Sequence, residues 1–343
     1  MIWEWSAAEL SRLERFLRER AICGGALTAR RIGDGHSNLT FLVTDGERRV
    51  VVRRPPPPPI PPGANDMLRE AKLISALSGT NVPVPKVLAV CEAGEVLDVP
   101  FYVMSYVEGP VVTTATPPTL SSPEVRRRIG EALIDTLAAL HAVDWRALGL
   151  AGMGRPEGFN DRHRRRMGRL IANEDGSLPP GFAEIDAWLA ANVPPETDAT
   201  IVHNDYRIGN IVLAPDSSGR IAAVLDWELA TLGDPLFDVG YFLASYPVRG
   251  KPLTPTEELG TATLEEGFPT REELAARYEK LTGRDLSNLT WYTVLALWKL
   301  AILYEHSRRR ALAGVGDPYY KDPALVRSFL MAACQAAGLE PVA

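Results

Sequence analysis

The sequence predicts an α+β protein of two lobes: a small one with a five-stranded antiparallel sheet and one helix, and a larger, mostly helical one. Three observations carry this. β-rich runs crowd the first part of the chain, apolar spacing from residue 123 onward is almost wholly helical, and the turn-rich stretch VEGPVVTTATPPTLSSP separates the two. The bounds that follow are a first lobe over 1–106, a linker over 107–122 and a helical lobe over 123–343. A length of 343 residues fits two domains or one two-lobed unit.

Taken in order, Ser6 stands before Ala7, Leu10, Leu13, Phe16 and Leu17, so residues 6–20 read as an amphipathic helix with Ser6 as N-cap. The runs LTARRI, LTFLVT and RRVVVRR, with a polar turn at Asp45-Gly46-Glu47, read as a three-stranded meander. In PPPPPIPPG at 55–63 the prolines lack the amide donor and fix φ, which makes it a stiff loop. NDMLREAKLISALSG then carries Met67, Leu68, Ala71, Leu73, Ile74 and Leu77 on a helix, with Asn65 or Asp66 as cap and Gly79 as stop. KVLAVCE and PFYVMSYV complete the sheet. The second lobe reads as helices over 123–143, 160–173, 181–191, 236–245, 270–282, 287–309 and 322–337, interrupted by a strand-loop-strand island at 200–226.

Composition narrows the function classes. Hydrophobic residues at 46% and charged residues at 23% are ordinary globular usage, and a net charge of −6 gives no general reason to bind nucleic acid or an anionic membrane. Cys23, Cys91 and Cys334 are odd in number, widely spaced and free of any CxxC pattern, so neither a disulfide framework nor a zinc site is indicated. A reducing cytoplasm is the expected compartment. No stretch approaches the roughly 18 uninterrupted apolar residues of a membrane span.

The chemistry concentrates in residues 201–242. Asp205 follows the strand Thr200-Ile201-Val202 and sits five residues before Asn210; the runs IVL and IAAVL flank the turn PDSSG, and Asp226 ends the second arm. Such a hairpin can bring an amide and a carboxylate oxygen to one point, with Asp205 a few ångströms off. That suits phosphoryl transfer, where hard oxygen ligands hold Mg²⁺ across phosphates and a separate carboxylate orients the attacking hydroxyl.

His203-x-Asp205-x-x-x-x-Asn210 followed by Leu225-Asp226-Trp227-Glu228 resembles the signature of the aminoglycoside phosphotransferase and choline kinase superfamily. The continuation LATLGDPLFDVGY most resembles the branch related to kinase-like domains fused to acyl-CoA dehydrogenases. The resemblance covers roughly residues 20–310 and implies a bilobal protein-kinase-like fold with ATP and Mg²⁺ as cofactors. It implies Asp205 as catalytic base, Asn210 and Asp226 as metal ligands, and His203 as a loop support. Asp234 and Asp238 match the family's downstream acidic pair, Asp238 as a buried brace. Asn204 replaces the glycine common before the catalytic aspartate. The absence of DFG and APE motifs, with Asn204 at the place of the HRD arginine, argues against a protein kinase.

In the first lobe, RIGDGHSNLTF places Gly33, Gly35, Ser37 and Asn38 at a hairpin tip, either an ordinary turn or a cover for nucleotide phosphates. Arg53 stands where kinases carry a phosphate-binding lysine, with Glu70 as its natural partner; strand alternation would turn only one of Arg53 and Arg54 inward. Met104, Ser105 and Tyr106 occupy the family's hinge entry, where backbone groups meet adenine.

The acceptor is a small hydroxylated molecule. The basic runs DRHRRRMGRL at 161–170, with Arg162, His163, Arg164, Arg165, Arg166 and Arg169, and EHSRRR at 305–310 favour an anionic alcohol such as a hydroxyacyl-CoA if they face a cleft; otherwise they are solvated helix faces. Trp291, Tyr292, Trp298 and Tyr304 line either that cleft or the core. An aminoglycoside or amino-alcohol kinase, and a nucleotide-binding pseudokinase that regulates a partner, are the alternatives. Nucleic acid and membrane are not expected partners.

Overall fold

The structure, a computed structural model, describes residues 4–33, 38–56, 65–195 and 197–340. It has two compact units. The first comprises residues up to Gly109 together with Ala222–Glu228; the second comprises Pro110–Ile221 and Leu229 onward.

In the first unit, Ser6 and Glu9 cap each other's backbone amides at 3.2 and 2.8 Å and start α1 (Ala7–Glu19). Strands β1 (Thr28–Arg31), β2 (Leu39–Thr44) and β3 (Arg49–Arg54) form the expected meander. The turn between β2 and β3 is held by Asp45, whose carboxylate accepts the amides of Gly24, Glu47 and Arg48. Helix α2 (Met67–Leu77) is capped by Asp66, the Asp of the two candidates, and closes at Ser78, one residue before Gly79. Strands β4 (Val87–Cys91) and β5 (Phe101–Ser105) complete an antiparallel sheet of order β1-β2-β3-β5-β4. Alternate sheet residues Phe41, Val43, Val52, Phe101 and Val103 meet Leu13, Phe16 and Leu17 of α1 in the core. The proline run at 57–62 lies outside the described residues. Within 222–228, the Val224 amide donates to the Pro83 carbonyl at 2.8 Å and Trp227 is fully buried.

The second unit contains α3 (Pro123–His141), α4 (Phe159–Gly168), α5 (Phe182–Ala191), β6 (Thr200–Val202), β7 (Ile211–Leu213), the start of β8 (Ile221–Val224), β9 (Thr231–Gly233), α6 (Pro235–Ala244), the one-turn α7 (Pro255–Glu258), α8 (Arg271–Thr282), α9 (Leu289–Leu312) and α10 (Pro323–Ala337). The PDSSG turn is closed by the Ala214 amide on the Arg220 carbonyl at 2.8 Å. Pairing of β6 with β9, through Ile201 and Leu232, was not legible in so short a segment. Helix α4 ends five residues earlier than its apolar spacing predicts, because Ile171 reaches the core from a turn rather than from the helix.

Helix α9 is the axis of this unit. Trp291, Tyr292 and Trp298 are buried, the two indoles donating to the Leu189 and Phe182 carbonyls at 2.9 and 3.1 Å, and Tyr304 packs on Phe329 and Tyr320. Trp291, Tyr292 and Trp298 are core, while Tyr304 is half-buried. Helix α6 rests on α9 at Gly240, where a Cβ would stand 2.7 Å from the backbone carbon of Tyr292. Among the described residues no helix is long and apolar enough to cross a membrane, and the three cysteines are buried and form no disulfide.

Candidate active site

Strand β6 runs into the loop 203–210, and a buried carboxylate shapes its entry. Asp238, in the first turn of α6, accepts the amide of His203 at 2.6 Å and that of Asn204 at 2.8 Å. His141 Nε2 stands 3.4 Å from the same carboxylate, and its Nδ1 lies 2.6 Å from the Tyr278 hydroxyl. Burial pushes the Asp238 carboxyl up, but His141 and His203 outweigh it and hold it below the ordinary carboxylate range. The brace expected at Asp238 is thus made of two consecutive amides. Asp234 caps α6 through the Leu236 amide and ties down Asn160 and Tyr292.

Pinning those amides turns Asn204 into the left-handed region, φ +70°. Glycine adopts that conformation freely and asparagine tolerates it better than most residues, which accounts for asparagine at position 204. Its side-chain amide donates to the Leu229 carbonyl at 2.9 Å, and its own carbonyl accepts the Lys299 ammonium at 2.7 Å.

Asp205 follows with its carboxylate held on both oxygens. The Tyr241 hydroxyl donates to Oδ1 at 2.5 Å and Asn210 Nδ2 to Oδ2 at 2.9 Å; the same Nδ2 also reaches the Asp205 carbonyl at 2.8 Å. Arg207 Nε lies 3.5 Å from Oδ1. Asn210 therefore donates through nitrogen and turns no oxygen to Asp205, which leaves Oδ1 of Asn210 as a hard ligand. Lys299 and Tyr241 were not legible as site residues: one interrupts an apolar helix and the other sits in an apolar run.

In the first unit, Arg53 is the inward-facing arginine. Its Nε lies 3.2 Å from Glu70, and its Nη2 contacts Asp226 and lies 3.3 Å from Glu228. Burial works against the guanidinium charge, but Glu70, Asp226 and Glu228 overcome it and raise its proton affinity further. Burial likewise pushes the Glu70 carboxyl up, against the pull of Arg53. Arg54 turns the other way and donates to the Pro55 carbonyl. Asp226 is also left-handed, φ +67°, so its backbone is bent where its carboxylate meets Arg53.

Asn38 is a brace in this cluster. Its Nδ2 donates to Glu228 at 2.5 Å and its Oδ1 accepts from Asn65 at 2.8 Å, so both ends of the amide are engaged. Glu228 joins Asn38 to Arg53, a role that the DWE motif alone did not disclose. Gly33 is left-handed at φ +74°, while Gly35 and Ser37 lie outside the described residues. Met104 is buried in β5, opposite Val51 and Val87. The Ser105 amide, one of the backbone groups expected at the hinge, donates to the Lys86 carbonyl at 2.8 Å. Tyr106 lies just past the strand with the Arg49 guanidinium 4.7 Å from its ring centre.

The basic runs are partly paired within the fold. Arg164 is buried between Asp161 and Asp186, Arg165 pairs with Asp161, Arg162 caps the Arg155 and Glu157 carbonyls, and Arg308 and Arg309 share Glu305. His163 packs between Phe159 and Phe237, and burial, with Lys299 and two arginines nearby, pushes its proton affinity well down, so it is neutral. Arg165, Arg166, Arg169 and Arg310 are exposed, so the two runs combine arginines paired within the fold with arginines open to solvent.

The profile of the phosphotransferase enzyme family matches residues 28–277. The chain belongs to this family. Acyl-CoA dehydrogenase family member 11 of Gallus gallus is 33% identical over 333 residues, which cover 92% of this chain and 42% of that protein. The Homo sapiens protein of the same name is 33% identical over 310 residues, 88% of this chain and 39% of that one. The chain thus spans about two fifths of the length of these curated relatives. A solved structure from Ralstonia eutropha, provisionally described as an aminoglycoside phosphotransferase, is similar with a TM-score of 0.80 and 28% identity, covering 96% of this chain and 98% of that one. Aminoglycoside phosphotransferase APH(4)-Ia, solved with AMP-PNP and hygromycin B, shares the fold at a TM-score of 0.59 and 18% identity, with 95% and 98% covered. The protein is a small-molecule kinase with the kinase-like fold of these phosphotransferases.

Proposed function

We propose that this kinase transfers the γ-phosphoryl group of ATP, with Mg²⁺, to a hydroxyl of a small acyl thioester or related anionic alcohol. The observation that carries the catalytic part is the Asp205 carboxylate, held by Tyr241 at 2.5 Å and Asn210 at 2.9 Å. A carboxylate fixed in this way can orient an acceptor hydroxyl and take its proton as the oxygen attacks phosphorus and ADP leaves. Arg53, with its permanent charge, would hold the α- and β-phosphates, with Glu70 and Glu228 fixing its direction.

Asn210 Oδ1 and the Asp226 carboxylate are the residues that would hold Mg²⁺. The donor set fits: both are hard oxygens, and magnesium commonly keeps phosphate and water in most of its coordination sphere. Among the described residues no group of three or more His, Cys, Asp or Glu gathers into a ready-made metal cage, in keeping with an ion that arrives with nucleotide. When bound, the ion neutralises charge on the transferring phosphoryl group. Met104 and Tyr106 would border the adenine, and Gly33 would open the hairpin over the phosphates.

The acceptor class rests on relatives named as acyl-CoA dehydrogenase family members. An aminoglycoside acceptor would need an acidic pocket, and the retention of Asp205, Asn210 and Asp226 together speaks for a working enzyme rather than a pseudokinase. The test is ADP release from Mg²⁺-ATP with hydroxyacyl-CoA thioesters, amino alcohols and aminoglycosides, beside Asp205→Asn. Turnover stimulated by a hydroxyacyl thioester and lost in Asp205→Asn by about a hundredfold or more supports the proposal. Stimulation by aminoglycosides alone overturns the acceptor class, and undiminished turnover in Asp205→Asn overturns the catalytic assignment.

A further inference from the structure

Helix α9 is buried over most of Trp291–Ile302, and in the middle of that stretch stands Lys299, 4% exposed. An ammonium group inside a core is costly unless its protons are met by partners. Among the described residues no carboxylate forms an ion pair with it. Its Nζ donates to the Asn204 carbonyl at 2.7 Å and faces two aromatic rings, Tyr241 at 4.8 Å and Phe237 at 5.0 Å from their centres.

Two of those contacts lead to the same place. The Asn204 carbonyl belongs to the peptide that enters Asp205, and Tyr241 is the residue whose hydroxyl meets the Asp205 carboxylate at 2.5 Å. We propose that Lys299 is a positioning residue for phosphoryl transfer: it clamps the Asn204–Asp205 peptide and the Tyr241 ring, and so sets the direction of the Asp205 carboxylate. This rests on the reading that Asp205 serves the acceptor hydroxyl.

The positive charge matters to both contacts. A charged donor strengthens the bond to the carbonyl, and the attraction to the ring faces vanishes with the charge. An apolar residue at this position would leave the left-handed peptide's carbonyl without its donor. The groups that face Lys299 are Asp205 from the loop after β6, Asp238 and Tyr241 from α6, and His163 from α4, with Arg162 and Arg166 near His163. Burial lowers the proton affinity of Lys299, Asp205 and Asp238 partly restore it, and the balance is about 8. The clamp is therefore charged at neutral pH and discharged in mild alkali, and turnover should decline along an alkaline limb centred near that value.

The test compares wild type, Lys299→Met, Lys299→Arg and Asp205→Asn in Mg²⁺-ATP turnover, with an accepting alcohol or with water, from about pH 6 to about pH 10. Thermal melting confirms that each variant is folded. Lys299→Met is expected to lose about 10- to 100-fold in kcat with the ATP KM within about twofold, and to lose the alkaline limb. Lys299→Arg, charged throughout, is expected to retain more activity and to move the limb up by about one pH unit or more. A kcat within about twofold of wild type in folded Lys299→Met, or an alkaline limb unmoved in both variants, overturns the proposal. If Lys299→Met does not fold, the position of the limb in Lys299→Arg decides. An active Asp205→Asn sinks the underlying reading instead; an inactive one beside an unmoved limb sinks only the role of Lys299.

Discussion

Tyr241 places its phenolic hydroxyl 2.5 Å from Oδ1 of Asp205. Burial, reinforced by the Asp205 charge, pushes the phenol well above its ordinary range, so Tyr241 remains a donor wherever the enzyme is folded and active. Tyr241→Phe removes that donor and little volume. We expect kcat to fall about tenfold, equivalent to about 1.4 kcal/mol, with the ATP KM nearly unchanged. Steady-state kinetics check this, and a raised ATP KM with kcat unchanged would assign Tyr241 to nucleotide binding instead.

Arg53 is the counter-charge for Glu70, Asp226 and Glu228. Arg53→Met leaves three carboxylates without it, so nucleotide phosphates meet a net negative surface. Calorimetric titration with Mg²⁺-ATP should show affinity reduced by about a hundredfold, whereas Arg53→Lys, which keeps the charge but not the fork, should lose about tenfold. Equal losses for the two substitutions would mean that fork geometry, not charge, governs the site.

The left-handed backbone at Asn204 yields a stability prediction. Asn204→Gly relieves φ strain and gives up the side-chain bond to Leu229, so the two effects nearly offset and the unfolding free energy should stay within about 1 kcal/mol of wild type. Asn204→Val combines strain, branching and the lost bond and should cost about 2–4 kcal/mol. Urea unfolding distinguishes these outcomes, and a harmless valine would remove the conformational explanation.

Stability should also rise in alkali. Lys299 binds its proton with a value of about 8 in the folded chain against an ordinary 10.5. Over that window the unfolded chain holds a proton that the folded chain has released, so stability increases with pH; below about 8 the burial penalty is present in full. From near pH 7.5 to near pH 10, wild type should gain about 2–3 kcal/mol more than Lys299→Met. Parallel curves for the two proteins would show that Lys299 is not the titrating group.

Much of this was legible in the sequence because spacing encodes it. Asp205 and Asn210 are linked by four intervening residues, and the structure joins them by a direct bond. Helices with caps and strong apolar periodicity, such as α1 and α10, fall within a residue or two of expectation. What spacing does not encode is direction. Alternation left Arg53 and Arg54 undecided until the Glu70 contact settled them. Which arginines of the basic runs are paired was not legible either: Arg164 meets Asp186 and Arg162 meets the Arg155 and Glu157 carbonyls, while Arg166 and Arg169 stay exposed. Lys299 went unseen because a lysine in an apolar helix has no local signature; its meaning comes from Asn204, ninety-five residues away.

Gly240 has no reactive atom, yet it sets the gap between the helix that carries Asp238 and Tyr241 and the helix that carries Lys299. A methyl group there would meet the Tyr292 backbone at 2.7 Å and wedge the two helices apart, displacing brace, donor and clamp together. An alanine at this position is thus the kind of lesion a genetic screen would recover as a heat-sensitive allele, its defect traced to a residue that touches neither substrate nor nucleotide.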